Sequence, residues 1–241
     1  MQDLKKYDFV AGEVLLVNKP LHWTSFDVVN KLRYTIKHRL GLKKIKVGHA
    51  GTLDPLADGL LIICTGKKTK EIEGFMGLTK VYSGTITLGA TTPSYDLETE
   101  IDQTFSIDSL TEEQVQKAAQ EMVGEMDQYP PIFSAKKVAG KKAYDFARKG
   151  QEVELKPKRI TINQFDLPQI KLPEANFIIE CSKGTYIRSI AHDLGKSLNN
   201  GGHLSALRRE KIGEFSLAEA RSVEEWIELI QTSDHIKIPV N

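Results

Sequence analysis

The sequence lacks the residues from which zinc sites and disulfide frameworks are built. Its 241 residues include two cysteines, Cys64 and Cys181, and contain no Cys-x-x-Cys pair or Cys/His cluster. A structural zinc ion takes four Cys or His ligands, and a secreted disulfide framework needs several paired cysteines. Each cysteine lies in an apolar, strand-like run, which predicts buried thiols in a reducing compartment, the cytoplasm.

Long apolar runs are missing too. No stretch approaches the roughly 20 apolar residues that a membrane-spanning helix needs. Residues 1–6 lead into no signal-peptide core. We therefore expect neither a membrane span nor export.

Several common catalytic motifs are also absent. The segment Gly48-His49-Ala50-Gly51 is too short for a dinucleotide fingerprint, and neither Gly-x-x-x-x-Gly-Lys-Ser/Thr nor Gly-x-Ser-x-Gly occurs. The six histidines lie apart, without metal-ligand spacing. The sequence therefore disfavours nucleoside triphosphate, acyl-enzyme and metal-assisted chemistry, and carboxylate chemistry remains.

The net charge of +1 hides two basic clusters. Residues 31–46 hold seven Lys or Arg and no acid. Acids are concentrated in residues 96–127 and 224–234, which together hold 14 of the 32 Asp and Glu. A basic face suits a phosphate backbone, although a charge run is also typical of a solvated surface. The second cluster consists of Lys136, Lys137, Lys141, Lys142, Arg148, Lys149, Lys156, Lys158 and Arg159.

Apolar periodicity predicts an α+β protein. Strands are expected at residues 13–18, 45–47, 60–64, 80–88, 132–136, 159–165, 176–182 and 203–211. Helices are expected at residues 25–40, 69–76, 111–122, 141–149, 185–194 and 223–230. The expected caps are Thr24 or Ser25 for the first helix, with Gly41 as its stop, Ser109 with Glu112 for the third, and Thr185 for the fifth. Because strands and helices do not alternate regularly and no linker is evident, we predict a single domain, residues 1–241, with a mixed sheet flanked by helices.

One carboxylate lies in a loop punctuated by glycines. Glycines at positions 48, 51 and 59 permit backbone angles and close approaches that a side chain would forbid. Pro55 favours an extended conformation at Asp54, and an apolar run after the loop predicts a buried strand that anchors it. An Asp-Pro flanked by glycines is also an ordinary turn, so the neighbouring residues must decide.

The residues alone leave several interpretations of Asp54 open. With Asp58 it fits a glycosidase pair, in which one acid protonates and the other attacks or activates water. Held against an arginine such as Arg188, it would stay ionised and serve as nucleophile or base on a nucleotide, although an arginine in a helix's first turn is more often a surface residue. Tyr82 and Tyr186 fit base stacking or an ordinary core rim. With the basic clusters, these residues favour chemistry on a nucleotide within RNA.

The loop and four further blocks resemble one known family. The loop reads Gly48-His49-Ala50-Gly51-Thr52-Leu53-Asp54-Pro55-Leu56-Ala57. The other blocks are Val17-Asn18-Lys19-Pro20 with Thr24-Ser25, Lys80-Val81-Tyr82, Ser134-Ala135-Lys136-Lys137 through to Gly150, and Cys181-Ser182-Lys183-Gly184-Thr185-Tyr186-Ile187-Arg188 followed by residues 204–209. In this order they resemble the motifs of the TruB family, bacterial tRNA pseudouridine-55 synthases, over about residues 12–215.

The resemblance implies a pseudouridine synthase fold with a largely antiparallel sheet. It implies that uridine 55 of the tRNA T-loop is flipped out, detached from N1 and reattached through C5, with Asp54 as the nucleophile. The implied contacts are Tyr82 stacked on the base, Arg188 paired with Asp54, His49 in the space that the base leaves, Tyr186 and Leu207 lining the pocket, and Lys19 near the site. No cofactor, metal or protein partner is implied, and the expected protein is a monomer that binds the T-arm stem-loop.

The sequence differs from the family's usual pattern in two motifs and in the expected lack of a C-terminal domain. Leu21-His22-Trp23 stands where a glycine usually follows Lys-Pro-x, and Asp58 stands where Thr is commoner. A second carboxylate close to Asp54 would raise the pKa of Asp54. We also expect no C-terminal RNA-binding domain. Two rival functions stay open, a non-catalytic RNA-binding or tRNA-folding module and a glycoside or nucleoside hydrolase that depends on Asp58 and releases uracil.

A T-arm minihelix should suffice as substrate, because the domain that contacts tRNA beyond the T-arm in many relatives is expected to be absent. We expect the minihelix and full-length tRNA to give similar kcat/KM in a tritium-release assay. A large loss of kcat/KM on the minihelix would contradict this expectation.

Overall fold

The computed structural model describes residues 6–134, 137–138, 141–142 and 155–238. Its helices are α1 (Ser25–Arg39), α2 (Ile72–Gly77), α3 (Glu112–Glu121), α4 (Ile187–Ser197) and α5 (Val223–Thr232). Its strands are β1 (Val14–Lys19), β2 (Val47–His49), β3 (Ala57–Thr65), β4 (Lys80–Leu88), β5 (Ala90–Thr91), β6 (Gln103–Thr104), β7 (Gly124–Gln128), β8 (Lys137–Val138), β9 (Lys141–Lys142), β10 (Lys158–Lys171), β11 (Glu174–Cys181), β12 (Gly202–Ile212), β13 (Phe215–Ser216) and β14 (Arg221–Ser222). Within the described ranges, no helix is long and apolar enough to cross a bilayer.

The chain divides into two compact units. The first unit comprises Met1–Lys80 and Arg208–Asn241, and the second comprises Val81–Leu207. The sequence shows no linker at either boundary because the chain passes between the units inside β4 and β12. The expectation of one catalytic domain stays a prediction.

The first unit contains both parallel and antiparallel strand pairs. β1 pairs antiparallel with β3, from Val14 opposite Cys64 to Lys19 opposite Gly59, and it pairs parallel with β14. β2 pairs antiparallel with β3. β3 is buried along nearly its whole length, as its continuous apolar run predicts. The register places Lys19 directly beside the residue that follows Asp58.

Helix α1 packs its apolar stripe into a core that it shares with α5. Thr24 caps α1 in a reciprocal box with Asp27, and Gly41, at φ +61°, supplies the left-handed residue typical of a helix end. The predicted first helix is therefore confirmed. The buried side chains of this core include Val28, Val29, Leu32 and Ile36 on α1 and Val223, Trp226 and Ile230 on α5.

The strands of the second unit are largely antiparallel. β4, β11, β10 and β7 lie side by side in that order, and β10 pairs antiparallel with both β11 and β7. Helices α3 and α4 cover a core that includes Val115, Phe165, Phe177, Ile190 and Leu194. Antiparallel pairs predominate within both units, which confirms the α+β class with a mixed, largely antiparallel sheet.

The predicted cap of α3 was wrong by two residues. Thr111 caps the helix in a capping box with Gln114, whereas the predicted pair was Ser109 with Glu112. Both pairs have the spacing of a capping box. Ser109 lies in a turn before the helix, in which the Leu110 N–H donates to the Ile107 carbonyl (3.0 Å), so the helix begins after it.

Three strand and helix predictions also need correction. The predicted strand at residues 45–47 begins at Val47, as β2. Residues 132–134 form no strand; the Ser134 N–H donates to the Ile132 carbonyl across a turn (2.9 Å), after two prolines that offer no donor for a ladder. Residues 141–142 pair with 137–138 and are strand rather than helix. The rest of the predicted basic helix, residues 143–149, lies outside the described residues, as do residues 135–136.

Candidate active site

The Asp54 loop is held on both sides by the start of α1. The Ser25 hydroxyl accepts from the Leu53 N–H (2.8 Å) and donates to the Leu53 carbonyl (3.2 Å). On the other side, the His22 N–H donates to the Pro55 carbonyl (2.7 Å). Leu53 is buried and Asp54 is half-buried. Hydrogen bonds therefore fix the backbone of the residues before and after Asp54, which holds the loop in one conformation.

A buried arginine satisfies the carbonyl groups of the same loop. Arg209 is 1% exposed. Its Nε donates to the Leu60 carbonyl (2.7 Å), and its terminal nitrogens donate to the carbonyls of Gly51 (3.2 Å) and Thr52 (3.4 Å). A Cβ at Gly59, which has φ +104°, would lie 2.5 Å from the Arg209 carbonyl oxygen. Only glycine permits β3 and this part of β12 to approach so closely.

Lys19 places a positive charge under the loop. It is fully buried, and its Nζ donates to the carbonyls of Pro20 (2.9 Å) and Trp23 (2.6 Å). Burial lowers the pKa of Lys19 to about 8, and the negative charges of Asp58 and Asp54 oppose that shift. Lys19 is therefore mainly protonated at neutral pH, and it attracts both carboxylates.

The charge of Asp58 is matched by an arginine. The Arg208 Nε and a terminal nitrogen donate to the two Asp58 carboxylate oxygens, at 2.9 and 2.6 Å. Such a bidentate pair has the geometry of a strong charge-assisted contact. Asp58 is thus engaged in a structural ion pair.

His49 lies on β2 opposite Ile63 and is half-buried. Burial lowers its pKa, and Arg209 adds to the shift against a backbone hydrogen bond at Gly51. The imidazole is therefore neutral at neutral pH. His49, Lys19 and Asp54 all lie in the first unit.

The second unit contains a buried ion pair between Arg188 and Asp96 that was not predicted from the sequence. Arg188 and Asp96 are each 5% exposed, and the Arg188 Nε lies 3.5 Å from an Asp96 carboxylate oxygen. Arg188 also donates to the Ser94 carbonyl (3.1 Å). The interpretation of Arg188 as an ordinary surface residue is therefore wrong. No local sequence pattern indicates Asp96 as its partner, because the two residues are 92 positions apart.

The conformation of the Asp96 loop is unusual. Tyr95 has φ +64°, which is strained for a residue with a side chain. Its ring stacks on His192, with centroids 4.0 Å apart and planes at 14°. The Thr92 hydroxyl donates to the Asp96 carbonyl (2.6 Å). His192 lies one helical turn after Arg188 on α4, so one helix face holds both Tyr95 and Asp96 in place.

Tyr186 is the residue that precedes α4, in place of the predicted cap Thr185. The Thr185 hydroxyl donates to the Ser182 carbonyl (2.9 Å) in the turn before the helix. The Tyr186 N–H donates to the Gln128 side chain (2.8 Å), whose amide donates back to the Tyr186 carbonyl (3.0 Å). This reciprocal contact replaces a hydroxyl cap at the start of α4.

The two remaining site residues lie in the second unit with Tyr186 and Arg188. Tyr82 is the third residue of β4, and Leu207 lies on β12. Both are half-buried and pack against the unit's core. The structure therefore divides the predicted site residues, with Asp54, His49 and Lys19 in the first unit and the other four in the second.

The basic clusters differ in what the structure describes. In residues 31–46 the side chains of Lys31, Lys37, Lys43, Lys44 and Lys46 are exposed. The side chains of the second cluster between residues 136 and 149 lie outside the described residues. Arg159 contacts Glu125 (3.1 Å) and Asp127 (3.6 Å), which compensates its charge.

Residues 37–187 match the model of the TruB family pseudouridylate synthases, N-terminal domain. The chain belongs to this family. It is 55% identical to tRNA pseudouridine synthase B of Phocaeicola vulgatus, over 92% of this chain and 95% of the relative. It is 51% identical to the same-named protein of Flavobacterium johnsoniae, over 93% of this chain and 98% of the relative.

Solved structures show the same fold at low sequence identity. A chain in an archaeal box H/ACA sRNP Nop10–Cbf5 complex aligns with a TM-score of 0.65 at 22% identity, over 92% of this chain and 54% of that one. A chain in a Cbf5–Nop10–Gar1 complex gives 0.67 at 23%, over 94% and 58%. With the family match, these likenesses confirm the predicted pseudouridine synthase fold.

Replacing Asp58 by Asn should lower kcat/KM for pseudouridine formation by no more than about fivefold, because a partly exposed ion pair contributes up to about 1 kcal/mol. The measurement is tritium release from C5-labelled tRNA, with Asp54→Asn assayed in parallel. Loss of activity in Asp58→Asn as complete as in Asp54→Asn would contradict a purely structural role for Asp58.

Proposed function

We propose that this protein is a tRNA pseudouridine synthase that isomerises uridine 55 in the T-loop of tRNA. The observation that carries the proposal is the Asp54 loop, a family motif whose backbone is fixed by Ser25, His22 and Arg209. The relatives named tRNA pseudouridine synthase B support tRNA as the substrate. The protein then acts in the cytoplasm, as a monomer, on the T-arm stem-loop.

Asp54 supplies the carboxylate that the isomerisation needs. The C1′–N1 bond breaks, a C1′–C5 bond forms, the C5 hydrogen leaves as a proton and N1 gains one, so the product is an isomer of the substrate. An ionised Asp54 serves attack on C1′, attack on C6 of the uracil, or removal of a sugar proton. The protonated Lys19 adds a positive charge that attracts the Asp54 carboxylate.

The uridine must leave the base stack before Asp54 can reach it. Unstacking costs a few kcal/mol, which protein contacts must offset. Tyr82 stacks on the flipped base, Tyr186 and Leu207 line its pocket, and the neutral His49 takes the space that the base leaves. These roles rest on the family resemblance.

Arg188 forms a buried ion pair with Asp96 within the second unit. The Asp96 carboxylate and the Ser94 carbonyl together fix the orientation of its guanidinium. The pairing of Arg188 with Asp54 that the resemblance implies joins residues of different units, and it stays a prediction.

Tritium release separates the proposal from both rivals. With tRNA carrying tritium at C5 of its uridines, the intact protein should release tritium, because forming the C5 bond expels that hydrogen. Asp54→Asn should bind tRNA and release none above background. Tight binding without release by the intact protein would favour the RNA-binding module, and free uracil would favour the hydrolase.

Asp96→Asn should lower kcat about 100-fold, the loss expected when an active-site group is misplaced by about 1 Å. The substitution removes the buried negative charge that faces Arg188. Asp102→Asn is the matched control in the same loop, since Asp102 contacts the Thr91 hydroxyl at an exposed position. Single-turnover rates at saturating enzyme make the comparison; equal rates for both variants would contradict a positioning role for Asp96.

A further inference from the structure

The outward face of α1 carries two aromatic side chains that the core does not use. Phe26 is 58% exposed and Tyr34 is 69% exposed. The opposite face of the same helix supplies the buried apolar stripe. Large exposed aromatics are unusual on a helix that already has a complete apolar face, and they suit contact with another molecule.

An arginine and a histidine contact the two aromatic rings. The Arg33 guanidinium lies over the Phe26 ring, 5.9 Å from its centroid. His38 stacks on Tyr34, with centroids 6.1 Å apart, and Lys31 and Lys37 are exposed. The single acid of α1, Asp27, accepts hydrogen bonds from the Thr24 N–H and hydroxyl in the capping box. Apart from Asp27 in the first turn, the charged residues of this face are basic.

A cavity lies on each side of Tyr34. One has a volume of about 530 Å³ and is lined by His22, Trp23, Asp27, Asn30, Lys31 and Tyr34. The other has a volume of about 340 Å³ and is lined by Tyr34, Thr35, His38, Arg39 and Gln231. The exposed Tyr34 ring thus lines both cavities. Either cavity leaves room for a planar base next to the ring.

This face begins next to the Asp54 loop. His22, which lines the larger cavity, also donates its N–H to the Pro55 carbonyl. Tyr34 follows Ser25 by nine residues, about 14 Å along the helix axis. Tyr34 is therefore within reach of an RNA whose reacting nucleotide lies at Asp54.

Charge and chemistry favour RNA over a protein as the occupant. Exposed aromatic rings interleaved with Lys and Arg are the combination that binds single-stranded nucleic acid, through stacking on bases and contacts to phosphates. A protein partner would need a matching acidic and apolar surface. The relatives are named as tRNA pseudouridine synthases, so tRNA is the occupant that the proposed function already supplies.

We propose that the outward face of α1 is a second RNA-binding surface, where Tyr34 stacks on an unpaired base of the tRNA and Lys31, Arg33 and Lys37 contact its phosphates. The inference rests on the proposed function, since it takes tRNA as the substrate. It adds a contact outside the pocket of the reacting uridine.

The test measures the Kd of Tyr34→Ala for an unmodified tRNA transcript. We expect Kd to rise about tenfold, the effect of losing one base–aromatic stack, with KM rising by a similar factor. Tyr34→Phe keeps the ring and should stay within about twofold of the intact protein. Lys117→Ala is the surface control, because Lys117 is 79% exposed on α3 in the second unit; its Kd should equal that of the intact protein.

Salt dependence gives a second readout for the cations. Lys31→Ala with Lys37→Ala should reduce the slope of log Kd against log salt by about 1.5, as expected for two lost phosphate contacts. Lys117→Ala should leave the slope unaltered. A slope that the double variant does not change would overturn the phosphate contacts.

Two results would overturn the stacking contact. One is a Kd for Tyr34→Ala within about twofold of the intact protein; the other is an equal loss in Tyr34→Ala and Tyr34→Phe, which would assign the effect to the hydroxyl. Tritium release by the intact protein on the same transcript is measured alongside. Release without a Tyr34 effect defeats this inference and leaves the proposed function standing, whereas no release defeats the proposed function.

Discussion

The structure around Asp54 depends on hydrogen bonds that satisfy the backbone groups of its loop. A loop rich in glycine exposes carbonyl and N–H groups but offers few side chains to satisfy them, and buried polar groups without partners are costly. Arg209 satisfies the carbonyls of Gly51 and Thr52 from a buried position, and Ser25 satisfies both backbone groups of Leu53. A loop so held can place one carboxylate reproducibly, which is what a reaction on a positioned nucleotide requires.

Charge balance is the second constraint on this region. Asp54 and Asp58 lie four residues apart, and like charges at close range repel each other. Arg208 takes the charge of Asp58 in a bidentate contact, and Lys19 adds a buried positive charge near both. The unusual carboxylate at position 58 is therefore neutralised by Arg208 on β12. Asp54 is then the carboxylate of this loop that we assign to the reaction.

Elements with a strong local pattern could be predicted from the sequence. The stripe of α1, the full extent of β4 and the Asp54 loop follow from periodicity, glycines and a proline, all of which act over a few residues. The pairing of Arg188 with Asp96 joins positions 92 residues apart, and no local pattern reports such a contact. The start of α4 was misplaced for the same reason, because Gln128 replaces the expected hydroxyl cap.

The most direct test of the central claim maps pseudouridine in a defined tRNA. An unmodified transcript is incubated with the protein, treated with a carbodiimide that leaves a stable adduct on pseudouridine, and copied by reverse transcriptase. We predict one new stop, assigned to position 55. A transcript with no new stop, or with stops at other uridines while position 55 stays unmodified, would contradict the claim that the Asp54 loop serves the T-loop uridine.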